Sequence, residues 1–151
     1  MKIYVDADAI PLVIREILYR AAERVEVPVI LVANVPLKIP QTPLVSMIVV
    51  PAGPDEADDK IAILASPGDL VITADIPLAS RVIEKGAMVI DSRGSVFSCE
   101  NIGERLAMRN FLDVLRSSGI DTGGPSAFTP KERQAFANQL DRILTKYAAS
   151  M

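Results

Sequence analysis

KIYVDADAI, residues 2–10, decides how this chain is read. Lys2 to Val5 is a short apolar run that reads as a buried strand. It is followed at once by Asp6 and Asp8. On a strand that spacing puts both carboxylates on one face. Further apolar runs recur along the chain, at PVILVA (28–33), LVSMIVV (44–50), LVIT (70–73) and AMVID (87–91), and each reads as a strand. Between them lie stretches with helical periodicity. Ile14, Ile17, Leu18 and Ala21 mark a helix from about 11 to 24. DEADDKIAILA (55–65) marks a second helix, and IPLASRVIEKG, stopping at Gly86, a third. Strands that alternate with helices and are apolar on both faces predict an α/β fold. The expected architecture is a three-layer sandwich around a mainly parallel central sheet.

Working outward, NVPLKIPQTP (34–43) holds three prolines and reads as a loop. SRGSVFS (92–98) is a turn with a short sixth strand. Residues 100–118 form a helix ended by Ser117, Ser118 and Gly119. DTGGPSAF (121–128) is the best linker candidate, and its GGP at 123–125 is a weak anion-turn signal. Thr129, Pro130 and Glu132 then give a capping box with proline at the first helical position, opening a final helix to about 147. The chain is therefore read as one domain over 1–151, with a C-terminal helical extension over about 100–150.

Composition prunes the functions open to such a chain. It has 151 residues, half of them hydrophobic and few aromatic, so a core of Val, Ile, Leu and Ala is expected. It has no histidine, which removes histidine triads, histidine general bases and histidine zinc sites. The single cysteine, Cys99, excludes an internal disulfide framework and fits a reducing cytoplasm. No signal-peptide pattern opens the chain. The longest apolar run, VPVILVANVPL, is broken by Asn34 and two prolines, so no membrane span is expected. Net charge is −3, divided into −5 over residues 1–100 and +2 over 101–151. Such a chain advertises nucleic-acid binding poorly, unless a bound cation and a local basic stripe supply it.

In parallel sheets ligands sit beyond the carboxyl ends of the strands. Asp6 and Asp8 follow the first strand, Asn34 the second, PDEADD (54–59) the third, and Thr73 and Asp75 the fourth. If the strands are parallel, all lie at one edge. Carboxylates gathered there repel: a pair at ~4 Å and an effective dielectric of ~20 costs roughly 4 kcal/mol. A bound hard cation is the usual remedy. Each acid also has a plainer reading. Asp8 precedes Pro11 as a turn or cap residue, Asp55 after Pro54 is a good N-cap, and Asp75 stands where it can cap the next helix. PDEADD nevertheless carries four acids where capping needs one or two. Asn34 is either a turn residue or an amide that orients water or phosphate. Arg105, Arg109 and Arg116 fall in one stripe of the 100–118 helix, bordering an apolar arc of Met108, Phe111, Leu112 and Leu115. They read either as snorkelling at the rim of a packed face or as a phosphate-facing stripe.

VDADAIP, LVAN, VPAGPDEADDKI, GDLVITADIPLA, ERLAMRNFLDVLR and TGGPSAFTPKERQAFANQLDRIL together resemble the YaiI/YqxD family (DUF188, UPF0178), in order and over almost the whole chain. That family is grouped with PIN-like domains, which are metal-dependent nuclease folds. The resemblance implies Asp6 as a strand-one ligand for Mg²⁺ or Mn²⁺ and Asp75 as the acid ending a TxD motif. It implies Asp55 or Asp58 as the helix-start acid, with Asp58 the preferred metal ligand, and Asp8 as a supporting carboxylate. The family commonly reads VDADACP, and Ile10 stands here in place of that cysteine, so a thiol role at this position is absent. The leading expectation is a metal-dependent phosphodiesterase acting on RNA or DNA, single-stranded nucleic acid included. Asp6, Asp8, Asp55, Asp58 and Asp75 would do the chemistry, with Asn34, Thr73, Arg105 and Arg109 against substrate. The alternative is a non-catalytic, metal-dependent RNA- or protein-binding module. A haloacid-dehalogenase-type phosphatase ranks lower, because Asp75 is followed by Ile-Pro-Leu-Ala-Ser with no second acid. The apolar composition is compatible with a homodimer.

Overall fold

The computed structural model describes residues 1–120 and 129–150. The linker reading over 121–128, with its two glycines, lies outside the described residues. Strand β1 (Ile3–Asp6) passes through a 3-10 turn (Ala7–Ala9) into helix α1 (Leu12–Val25). β2 (Val29–Ala33) and β3 (Val45–Val49) follow, then α2 (Glu56–Leu64), β4 (Leu70–Ile72), α3 (Ile76–Glu84) and β5 (Met88–Ile90). A hairpin leads to β6 (Val96–Phe97), and α4 (Ile102–Ser117) and α5 (Pro130–Ala149) complete the chain.

The sheet order is β3-β2-β1-β4-β5-β6. β1 to β5 are all parallel and only β6 runs antiparallel, against β5. The predicted three-layer α/β sandwich is what forms. Alternation along each strand splits the core in two. Ile3, Val5, Leu70 and Ile72 face α1 and α5, where Ile14, Leu18, Phe136, Leu140 and Leu144 are buried. Tyr4, Val71 and Val89 face α2 and α3, against Ile61, Leu78 and Val82. α5 is therefore part of a layer of the sandwich, packed on α1.

β2 and β3 are parallel although no helix joins them. The proline-bearing segment 34–44 makes that crossover as irregular chain, and Leu37 and Ile39 tuck against the core. Local signals set the helix starts as expected. Thr129 accepts the N–H of Glu132 at 3.3 Å at the head of α5. The Glu132 carboxylate, free of the reciprocal cap, pairs instead with Arg93 in the β5–β6 turn. That turn also needs Gly94, whose φ is +87°; a Cβ there would lie 2.7 Å from the Ala135 carbonyl carbon. The hairpin turn thus sits directly on the backbone of α5.

The order places a switch point between β1 and β4. The chain builds outward to β2 and β3 on one side, then returns to lay β4 and β5 on the other. In open parallel sheets, ligands bind outside the carboxyl ends of the strands at such a point.

Candidate carboxylate site

Asp6 ends β1 and Thr73 follows β4, on the two strands that flank the switch point. Thr73 is 1% exposed. Its hydroxyl donates to Asp6 Oδ2 at 3.1 Å and accepts the Asp75 N–H at 3.0 Å. One buried side chain therefore ties two acids to each other. Asp75 in turn caps α3, its Oδ1 accepting the Leu78 N–H at 2.8 Å. The capping and functional readings of Asp75 coincide in one residue: the cap fixes one carboxylate oxygen, and the carboxylate also hydrogen-bonds Asp58.

The four acids of 55–59 separate by their position on α2. Asp55 is exposed at the N-cap and makes no side-chain cap bond. Glu56 is exposed. Asp59 turns to α3, where Arg81 meets it at 2.8 Å. Asp58 alone is half-buried and turns toward Asp75 and Asp6. Its pKa is raised to about 7: by burial first, then by the charges of Asp75 and Asp6, a hydrogen bond with Asp75, and the charge of Asp55. Asp6 is raised as well, chiefly by burial, with Asp75 and Asp8 adding to it and the Thr73 hydrogen bond opposing. Every charge that acts on these two groups is another carboxylate. Arg15, the first base after Asp6 in sequence, is not among them.

Asp8 is exposed, and its Oδ2 accepts the Asn34 N–H at 2.7 Å. This bond pins the start of the 34–44 crossover to the end of β1. The Asn34 side-chain oxygen is buried with no hydrogen-bond partner among the described residues. Asp8 and Asn34 thus flank the carboxylates on the β2 side.

Arg105 and Arg109 are placed on α4, which packs on α3. Arg105 lies over the Phe97 ring, 5.3 Å from its centroid, and Arg109 pairs with Asp113 at 3.4 Å. Neither is among the groups that shift Asp6 or Asp58. The apolar arc that the arginines border is not a packed face either: Met108 is 55% exposed and Phe111 57%.

The donor set is all oxygen. Asp6, Asp58 and Asp75 suit a hard cation such as Mg²⁺ or Mn²⁺, and mutual repulsion with no opposing charge is what such a cation relieves. As the side chains stand, no group of three acids among the described residues closes on one point. One oxygen of Asp6 is held by Thr73 and one of Asp75 by the α3 N-terminus. Spacing alone left Asp55 and Asp58 open, with only the resemblance preferring Asp58, and gave no sign that Thr73 bonds Asp6 and Asp75 together.

Comparison with known proteins agrees with this picture of a shared chain plan. Residues 4–146 match the family described as "Uncharacterized BCR, YaiI/YqxD family" (DUF188). A UPF0178 protein of Cupriavidus necator is 57% identical over 148 residues, 98% of this chain and 96% of the relative. One from Thioalkalivibrio sulfidiphilus is 58% identical over 146 residues, 97% and 99% of the two chains. One from Shewanella loihica is 55% identical over 147 residues, 97% and 98%. No solved structure matches the chain.

Proposed function

Because this chain belongs to the YaiI/YqxD (DUF188, UPF0178) family, and its matched region spans the whole carboxylate edge, we propose that it is a divalent-metal-dependent nuclease of PIN-like type, hydrolysing phosphodiesters of single-stranded RNA or DNA. The observation that carries this reading is the neighbourhood of Asp6, Asp58 and Asp75 at the sheet's switch point, where, among the described residues, the charges that act on Asp6 and Asp58 are all carboxylates. Asp6, Asp58 and Asp75 would hold Mg²⁺ or Mn²⁺. A cation so held supplies charge neutralisation at a phosphate and a more acidic water. The protein's own residues prepare that role. Thr73 orients Asp6, the α3 N-terminus orients Asp75, and Asp58 holds a proton near neutrality that cation binding would release. Asp55 adds negative charge at the rim, and Asp8 fixes Asn34 beside it. Arg105 and Arg109 would contribute as a phosphate-facing stripe along α4, beyond α3.

The test joins calorimetric titration of Mn²⁺ and Mg²⁺ with hydrolysis of a labelled single-stranded RNA. Saturable binding and cleavage, both lost in Asp6→Asn and Asp75→Asn, support the proposal. Absence of binding in the wild type sinks it. Binding without cleavage transfers the reading to a metal-dependent binding module.

A further inference from the structure

The sheet is covered unevenly on its α1/α5 face. Leu70, Ile72 and Ile90 on that face are fully buried. Met88 shares it, because it is in register with Leu70, yet Met88 is 38% exposed. Val96, paired with Ile90 across the hairpin, is 39% exposed. No helix among the described residues covers this corner. β5 returns directly as β6, and the next helix, α4, packs on α3.

What remains is a groove between the end of α3 and the flank of α5. Two cavities of about 350 and 420 Å³ share Met88, Gln139 and Ile143 as lining residues and so adjoin along one trough. The smaller runs past Ile83 and Gly86 to Val96 and has no charged side chain among its lining residues. The larger runs over Gly68 and Tyr147 to Arg142 and Lys146, its only charged side chains. These two cations stand one helical turn apart on α5, hence on one side of it. Neither has an ion pair among the described residues, although the chain as a whole is acidic. The trough is mainly apolar, with the Gln139 amide at the junction of the two cavities accepting from Arg142 at 3.3 Å, and it is cationic at one end. It lies by the amino ends of β4 and β5, away from the carboxylate edge.

We propose that this groove binds an amphipathic anion with one unbranched apolar chain, in chemical class a medium-chain carboxylate. The head group meets Arg142 and Lys146, and the chain lies over Met88 toward Val96. The combined volume is of the size that ligand sites have, and the charge pattern selects the sign of the head. Apolar burial sets the dependence on length, about threefold to fourfold in affinity per methylene.

The experiment is calorimetric titration of the full chain with octanoate, decanoate and decyltrimethylammonium, each below its micellar range. The expected result is saturable 1:1 binding of decanoate, about tenfold tighter than octanoate, with decyltrimethylammonium at least tenfold weaker than decanoate. Arg142→Gln with Lys146→Gln weakens decanoate at least tenfold and leaves the melting temperature in place, since both side chains are exposed. Met88→Glu, which charges the floor, weakens it through the chain rather than the head. Equal binding of the two decyl compounds, indifference to the double substitution, or no saturable binding of decanoate would each overturn the proposal. None of these readouts depends on metal or on the carboxylates.

Discussion

Thr73 is the residue on which the candidate site turns. Its hydroxyl serves Asp6 and the Asp75 N–H together, in a place closed to water. Thr73→Val keeps the shape and removes both bonds. It should cost about 1–3 kcal/mol, the usual penalty for buried groups left unpaired, and should weaken metal binding more than Asp55→Asn, which alters only a rim charge. Chemical denaturation and calorimetry on the two variants check this. Asp58 gives a pH signature. Burial and the neighbouring acids raise its pKa in the folded state to about 7, well above the ordinary carboxylate range, so the folded state holds the proton more tightly. That contribution is full below about pH 4 and is lost as pH rises toward and through 7. The metal-free protein should therefore lose thermal stability between pH 5 and 8, and Asp58→Asn should flatten the slope. Saturating Mn²⁺ should flatten it too, if the acids bind the ion. A slope unchanged in Asp58→Asn would assign it to other groups. The acids were legible in sequence because strand ends announce them. Asp58 was preferred over Asp55 only through the family resemblance, because spacing leaves the two open and the seating of α2 decides which of four neighbouring acids turns inward.

Elements were legible in extent more than in orientation. Apolar runs and caps placed every helix and strand within a residue or two, since Asp75, Pro77, Thr129 and Pro130 act locally. α4 shows where local reading stops. Its periodicity predicts a packed apolar arc, yet none of its side chains is buried, and Met108, Phe111 and Val114 are more than half exposed. Phe111→Ser should then change stability by less than about 0.5 kcal/mol, as surface substitutions do. Leu78→Ala, on the buried face of α3 and 1% exposed, should cost about 2–5 kcal/mol. Comparable losses in the two would mean that α4 is covered. Gly94 is the opposite case, a single residue that governs a distant element. Gly94→Ala must accept both a φ of +87° and a clash with the α5 backbone. It should destabilise by at least about 1–3 kcal/mol, the range for a non-glycine residue held in such a conformation. Urea denaturation reads the loss, and protease access to α5 shows where it falls.

At the scale of the molecule, the parallel sheet followed from apolar strands alternating with helices, but its order did not. Nothing local says that β1 lies at the centre, that β4 crosses back beside it, or that β2 and β3 join without a helix. Those choices belong to long-range packing, and they are what bring Asp6 to Thr73. The central position of β1 has a further consequence, one of timing. A chain made from its amino end finishes β1, α1 and β2 early, yet the face of the sheet they share is closed by Phe136, Leu140 and Leu144 of the last helix. Until those side chains clear the ribosome, an apolar surface that the finished fold hides stays open to solvent and to other nascent chains. A stalled or truncated copy lacking α5 is the form of this protein that should call for a chaperone.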